Sequence, residues 1–222
     1  MVHYPNITKA ELRDRIHISD DALEHLLTDG VVRPAGAPCN PRTFAADDVM
    51  IAAIAAELHR YDISTGVLIK LTSRLYDGVS LARPLGLKPV DIAEAREAVE
   101  LRLDRLEHES DGQFDAYDGV STDPAAAPPP FKLKPGSSIV EAIADFDPLQ
   151  LVVFDLYLGL VDPRYLESDP PLVFWHIAPI PGSDNYRLSY HVGAEVPDVF
   201  SSGPSWITIC ITSLARRVWL GD

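Results

Sequence analysis

A chain of 222 residues, 46% hydrophobic and 23% charged, has room for one large domain or two small ones, either with a real core, and is too apolar for global disorder. Its net charge of −14 weighs against binding nucleic acid over a broad surface. No run approaches the ~18 unbroken apolar residues of a membrane span, and Met1-Val2-His3-Tyr4 opens no secretory leader. Cys39 and Cys210 make neither a metal-ligand spacing nor a disulfide framework, so the expectation is a cytoplasmic protein without membrane contact.

In chain order, Thr8-Lys9-Ala10-Glu11 is a capping box that opens a short helix carrying Leu12 and Ile16 on one face. Ser19 is the N-cap of a second helix, with Asp20 and Asp21 in its first turn, Ala22, Leu23, Leu26 and Leu27 inside, and Gly30 as its stop. Two extended pieces, 31–33 and 42–44, flank a Pro/Gly tip at 34–40 and predict a hairpin. A third helix is expected over 46–61 and a fourth after Ser64. A fifth begins near Pro89 and runs to about 109. On the fifth, Ile92, Ala95, Val99, Leu103 and Leu106 form a narrow apolar stripe among Glu and Arg, the pattern of a coiled-coil seam that is unburied in a monomer.

Residues 111–137 are rich in Asp, Gly and Pro and read as a linker. Beyond it, Ser138-Ile139-Val140-Glu141 is another capping box. The apolar run 149–161 fits either a helix after Asp147-Pro148 or a buried strand, since periodicity alone does not decide. Strands are expected over 172–177, 186–192 and 206–212. The division that follows is 1–80, 81–110, 111–137 and 138–222, with fold class α+β.

Three stretches carry a resemblance to a known family. They are Ile7-Thr8-Lys9-Ala10-Glu11-Leu12, Ile18-Ser19-Asp20-Asp21-Ala22-Leu23 with Gly30-Val31-Val32-Arg33-Pro34, and Arg42-Thr43-Phe44-Ala45-Ala46-Asp47-Asp48-Val49. In order and spacing they resemble the MerR-type transcription regulators over the N-terminal half. The resemblance implies a mainly helical winged helix-turn-helix, a dimerisation helix and a C-terminal α+β domain. It implies contact with double-stranded operator DNA through Ser19, Glu24, His25, Arg33, Asn40, Arg42 and Thr43, and homodimerisation through Ile92, Ala95, Val99, Leu103 and Leu106. A small-molecule effector or a protein partner would bind the C-terminal domain.

One departure matters. Where the family carries Arg-x-Tyr-Glu after the leucine of the second helix, this chain has Glu24-His25-Leu26-Leu27. A glutamate is repelled by phosphate and in the major groove can accept only from cytosine. The alternative is therefore a protein–protein adaptor on the same frame that no longer reads DNA. His176 and His191 sit in predicted strands without ligand spacing, and Trp175, Trp206, Trp219, Tyr186 and Tyr190 suit core packing better than a pocket. No phosphate-cradling Gly loop, G-x-S-x-G, H-E-x-x-H or C-x-x-C is present, so neither an enzyme nor a cofactor is expected.

Overall fold

The computed structural model describes residues 4–34, 43–110, 120–193 and 207–221. Helices and two small antiparallel sheets are mixed, in agreement with the α+β expectation. Strand β1 (Ile7–Thr8) leads into α1 (Lys9–Ile16), and Thr8 forms the expected capping box. Its amide donates to Glu11 Oε2 at 2.7 Å, and its hydroxyl oxygen accepts from the Glu11 amide at 3.3 Å. The bond from the Thr8 amide, followed by a bond the Thr8 hydroxyl donates to Glu11 Oε2 at 2.8 Å, holds the Glu11 carboxyl below the usual carboxylate range. His17 ends α1 in the left-handed region, at φ 52°. Ser19 then caps α2 (Asp20–Thr28), its side chain accepting from the Ala22 amide at 3.1 Å.

The predicted hairpin between 31–33 and 42–44 is corrected. Strand β2 (Thr43–Phe44) pairs instead with β1, Ile7 opposite Phe44 and Thr8 opposite Thr43. Val31 and Val32 are both buried, and the Val32 amide donates to the Leu26 carbonyl at 3.0 Å. They close the end of α2 against the core, whereas a strand would alternate its side chains between two faces. The tip residues 35–40, Asn40 among them, and Arg42 lie outside the described residues.

Helix α3 (Ala46–Arg60) is the central element, buried almost throughout because alanines at 52, 53, 55 and 56 let neighbours approach from every side. Helix α4 (Thr65–Leu85) follows the Ser64 N-cap, and α5 (Asp91–Glu109) starts two residues after Pro89. A short strand, β3 (Val120–Ser121), precedes α6 (Ile139–Ala144) and α7 (Pro148–Leu160). The run 149–161 is therefore helical. Asp147 accepts from the Gln150 amide at 2.8 Å, Gln150 Oε1 accepts from the Asp147 amide at 2.9 Å, and Pro148 takes a first-turn position where no N–H is needed. The run is apolar all round because α7 is enclosed by α4, α5 and the sheet.

The larger sheet has the order β3-β5-β4-β6, built from β4 (Val173–Pro179), β5 (Tyr186–Val192) and β6 (Ile207–Cys210), with every pairing antiparallel. The expected strand 206–212 is shorter than predicted: it stops at Cys210 and helix α8 (Ile211–Leu220) begins at once. Ile211, Leu214, Ala215 and Val218 are buried at spacings of three, four and seven, so packing of that face overrides the β-branched start.

Two further expectations are revised by burial. The stripe Ile92, Ala95, Val99 and Leu103 is buried within the single chain, where α5 packs on α6 and α7, and Leu106 is half-buried on the same core. The seam is covered by its own chain. Of the segment read as a linker, Val120 is fully buried in the sheet, and Phe131 meets Phe146 edge-on at 4.7 Å. Gln150 Nε2 donates to the Pro129 carbonyl at 2.9 Å and ties the proline run to α7. One hydrophobic core thus runs from Ile7 and Leu12 through α3 and α4 to α7 and the sheet.

Candidate functional site

The helix pair α1–α2 presents the residues that the sequence singles out. Leu12, Ile16, Leu23 and Leu26 hold its inner side, which leaves Asp14, Asp20, Asp21, Glu24, His25 and Asp29 exposed. Lys9 is ion-paired with Glu24. Arg13 donates to Asp20 at 3.0 Å and to Asp14 at 2.7 Å. These bonds raise the already high guanidinium pKa further, with the hydrogen bonds to Asp14 and then Asp20 as the main causes.

The arginines nearby are held on carbonyls, rings and Glu57, although Arg33 and Arg60 remain exposed. Arg15 donates to the Val218 carbonyl at 3.1 Å and lies over the Trp219 ring. Arg33 donates to the Gly30 carbonyl at 2.9 Å, and its guanidinium sits over Tyr76 at 5.4 Å. Arg60 donates to the Ile16 carbonyl at 2.8 Å and to Glu57 at 2.6 Å. Exposed pairs of this kind contribute only ~0–1 kcal/mol each. Their consequence is one of sign: Lys9 and Arg13 are paired with carboxylates of α1 and α2, Arg15, Arg33 and Arg60 are held on carbonyls and rings away from α2's acidic side chains, and the outward side chains of α2 itself are mainly acidic.

Of the seven residues assigned to DNA contact, Asn40 and Arg42 lie outside the described residues. Ser19 spends its oxygen on the helix cap, Glu24 engages Lys9, and Arg33 is anchored on Gly30 and Tyr76. His25 and Thr43 are exposed.

Sequence reasoning missed what the antiparallel register brings together in the C-terminal sheet. His176 faces Ser189 and Thr208 across the strands, while His191 lies opposite Phe174. Phe174, His176, Ser189, His191, Thr208 and Cys210 therefore share one face. His176 Nε2 and His191 Nδ1 are 2.6 Å apart, with the rings stacked at 4.8 Å, and His176 Nδ1 is 3.0 Å from the Thr208 hydroxyl. Burial, reinforced by the neighbouring His191, pushes His176 down to about 4, and burial also lowers His191. The alternation of each strand held the signal, but it needed the hairpin register, which 180–185 does not disclose by sequence.

A second polar group lies between α5, α7 and β5. Arg96 reaches Asp162 at 3.2 Å, Arg164 reaches the same carboxylate at 2.6 Å, and the Tyr190 hydroxyl donates to Asp155. Burial pushes the Asp155 carboxyl up. Trp175 is fully buried behind this sheet, and Trp219 packs on Tyr4, so both tryptophans serve packing; Trp206 lies outside the described residues. Among the described residues no group of three or more His, Cys, Asp or Glu is placed to hold a metal ion, and no helix is long and apolar enough to cross a membrane. No protein-family model, no curated protein and no solved structure matches the chain.

Proposed function

We propose that the N-terminal helices use a winged helix-turn-helix frame of MerR-like type as a protein-docking module, and that the exposed face of α2 binds a basic segment of another protein. The charge of that face carries the reading. Asp20, Asp21, Glu24 and Asp29 point outward, and the nearest cations, Lys9 and Arg13, are engaged with Glu24 and Asp20. Duplex DNA carries a negative charge per ~1.7 Å of axis and is repelled by such a surface. A Lys/Arg-rich segment is attracted and steered to it. The capped α1 and α2, the Gly30 stop and the pairing of β1 with β2 support the frame itself.

A second reading, a DNA-binding transcription regulator, draws support from His25 and Thr43, which are exposed where the family resemblance assigns DNA contact. Glu24→Arg separates the two. With the full chain as bait, the docking reading expects a partner recovered through a basic segment, lost with Glu24→Arg, and no duplex shifted by the wild type. The reading fails if the wild type shifts duplex DNA while the substitution leaves partner recovery unchanged.

A further inference from the structure

A cavity of about 350 Å³ lies on the seam between the C-terminal turn of α3 and the junction of β6 with α8. Its outer wall follows from helix geometry. Cys210, Ser213, Leu214 and Arg217 recur at spacings of three, four and seven, which puts them on one side of α8 beside the buried side formed by Ile211, Ala215 and Val218. The short Cys210 and Ser213 side chains do not reach across to α3, and the gap stays open. β6 is the last strand of the described sheet, so Thr208 and Ile209 line the gap from the sheet's edge.

A group with one net positive charge borders this space in a chain of net charge −14. Arg217 Nη2 donates to Glu57 Oε2 at 2.7 Å, and Arg60 Nη1 donates to the same oxygen at 2.6 Å. Two guanidinium groups on one carboxylate leave one positive charge over beside the cavity, whose own charged lining residues are Arg217 and Glu57 while Arg60 stands just outside the lining. Arg217 Nε is buried with no hydrogen-bond partner among the described residues. An N–H removed from water without an acceptor is costly, and a charged donor more so. The first turn of α8 also lacks a side-chain cap, so the positive end of its dipole adds to the same field. Ser213 and Tyr61 add polar residues to the lining, the Ser213 hydroxyl donating to Cys210 Sγ at 3.2 Å, the Thr208 hydroxyl is engaged with His176, and Ile209 and Leu214 add apolar residues.

We infer that this cavity binds a small-molecule carboxylate with a compact apolar body. The single negative charge matches the single excess positive charge of the Arg60–Glu57–Arg217 group, and its oxygens meet the exposed part of the Arg217 guanidinium, which is only partly buried. The volume is at the lower end of small-ligand sites and holds on the order of ten non-hydrogen atoms. Because one wall belongs to α3 and the other to β6 and α8, the ligand is gripped by both halves of the chain. The inference stands independently of what binds α2.

Cys210 is a partly exposed free thiol on the cavity wall and reports occupancy. In a full-length Cys39→Ser background it is the sole thiol, and its alkylation by iodoacetamide is followed by mass spectrometry. The probes are benzoate, phenylacetate and indole-3-acetate, with phenylacetamide and inorganic phosphate as comparators. At least one carboxylate is expected to slow Cys210 alkylation roughly tenfold and to raise the melting temperature, while neither comparator does. Arg217→Met weakens that carboxylate by about tenfold or more. Ser213→Leu, which fills the exposed mouth without altering charge, removes the protection, and Arg105→Met on α5 leaves it intact. Absence of protection by all three carboxylates at millimolar concentration overturns the inference. So does equal protection by phenylacetamide, protection by phosphate alone, or protection that survives in a folded Arg217→Met chain. If Arg217→Met does not fold, Ser213→Leu decides: retained protection overturns the inference. Failure of α2 to capture a basic partner has no bearing on these readouts.

Discussion

The imidazoles of His176 and His191 meet diagonally across β4 and β5, with Nε2 and Nδ1 2.6 Å apart. At that distance one nitrogen donates and the other accepts, so a pair with both rings charged would set two N–H groups against each other. Burial and His191 push His176 down to about 4, whereas an unfolded histidine titrates near ~6.5. Between those values the unfolded chain takes up a proton that the folded chain refuses. The His176 contribution to stability is therefore full above pH ~6.5 and falls as the pH drops toward 4, by on the order of 2 kcal/mol, while the raised Asp155 carboxyl acts in the opposite sense. Glu11 and Glu141, both lowered, act only at more acid pH, as they protonate. Denaturant titrations at pH 7 and pH 5 should show the loss in the wild type and a flatter profile in His176→Gln. Equal slopes in the two would contradict the assignment.

Gly78, in the middle of α4, lies against the backbone of α7. A Cβ there would stand 2.4 Å from the Val153 carbonyl oxygen and 2.9 Å from Tyr157 Cβ. Glycine to alanine inside a helix ordinarily gains up to ~1 kcal/mol. Here the clash with backbone outweighs that gain, and Gly78→Ala should lose about 1–3 kcal/mol. A melting temperature equal to or above the wild type would mean that α4 and α7 do not approach this closely.

The covered stripe on α5 gives a prediction about assembly. Val99 is fully buried inside the chain. Val99→Asp should therefore destabilise the fold by roughly 3 kcal/mol or more, through an unpaired buried charge. Light scattering and thermal melting on the same samples check this. A variant that keeps its melting temperature but drops from dimer to monomer would return the stripe to the role expected from its spacing.

Local chemistry was the legible part of this fold. Thr8, Ser19, Ser138 and Gly30 mark helix ends by side-chain capping or positive φ, which need only a few residues of context. The misread parts all depend on distant partners. Val31 and Val32 look like a strand until Leu26 and the core take them, and the α5 stripe looks like a dimer seam until α6 and α7 cover it. The acidic character of α2 was readable from Asp20, Asp21 and Glu24 directly. The pairing of Lys9 and Arg13 against it needed the α1–α2 geometry, and the Arg217–Glu57 contact joins residues 160 positions apart.

The central claim is that the α2 face is sign-matched to a basic protein segment and not to a phosphate backbone. The most direct test is selection of duplexes from a random-sequence pool by the full-length wild-type chain at moderate salt. The account predicts no enriched sequence, since a site-specific binder gains ~4–10 kcal/mol over nonspecific DNA through contacts that α2 does not offer. An enriched duplex, bound tightly by the wild type and released by Thr43→Ala or Arg42→Ala, would contradict it.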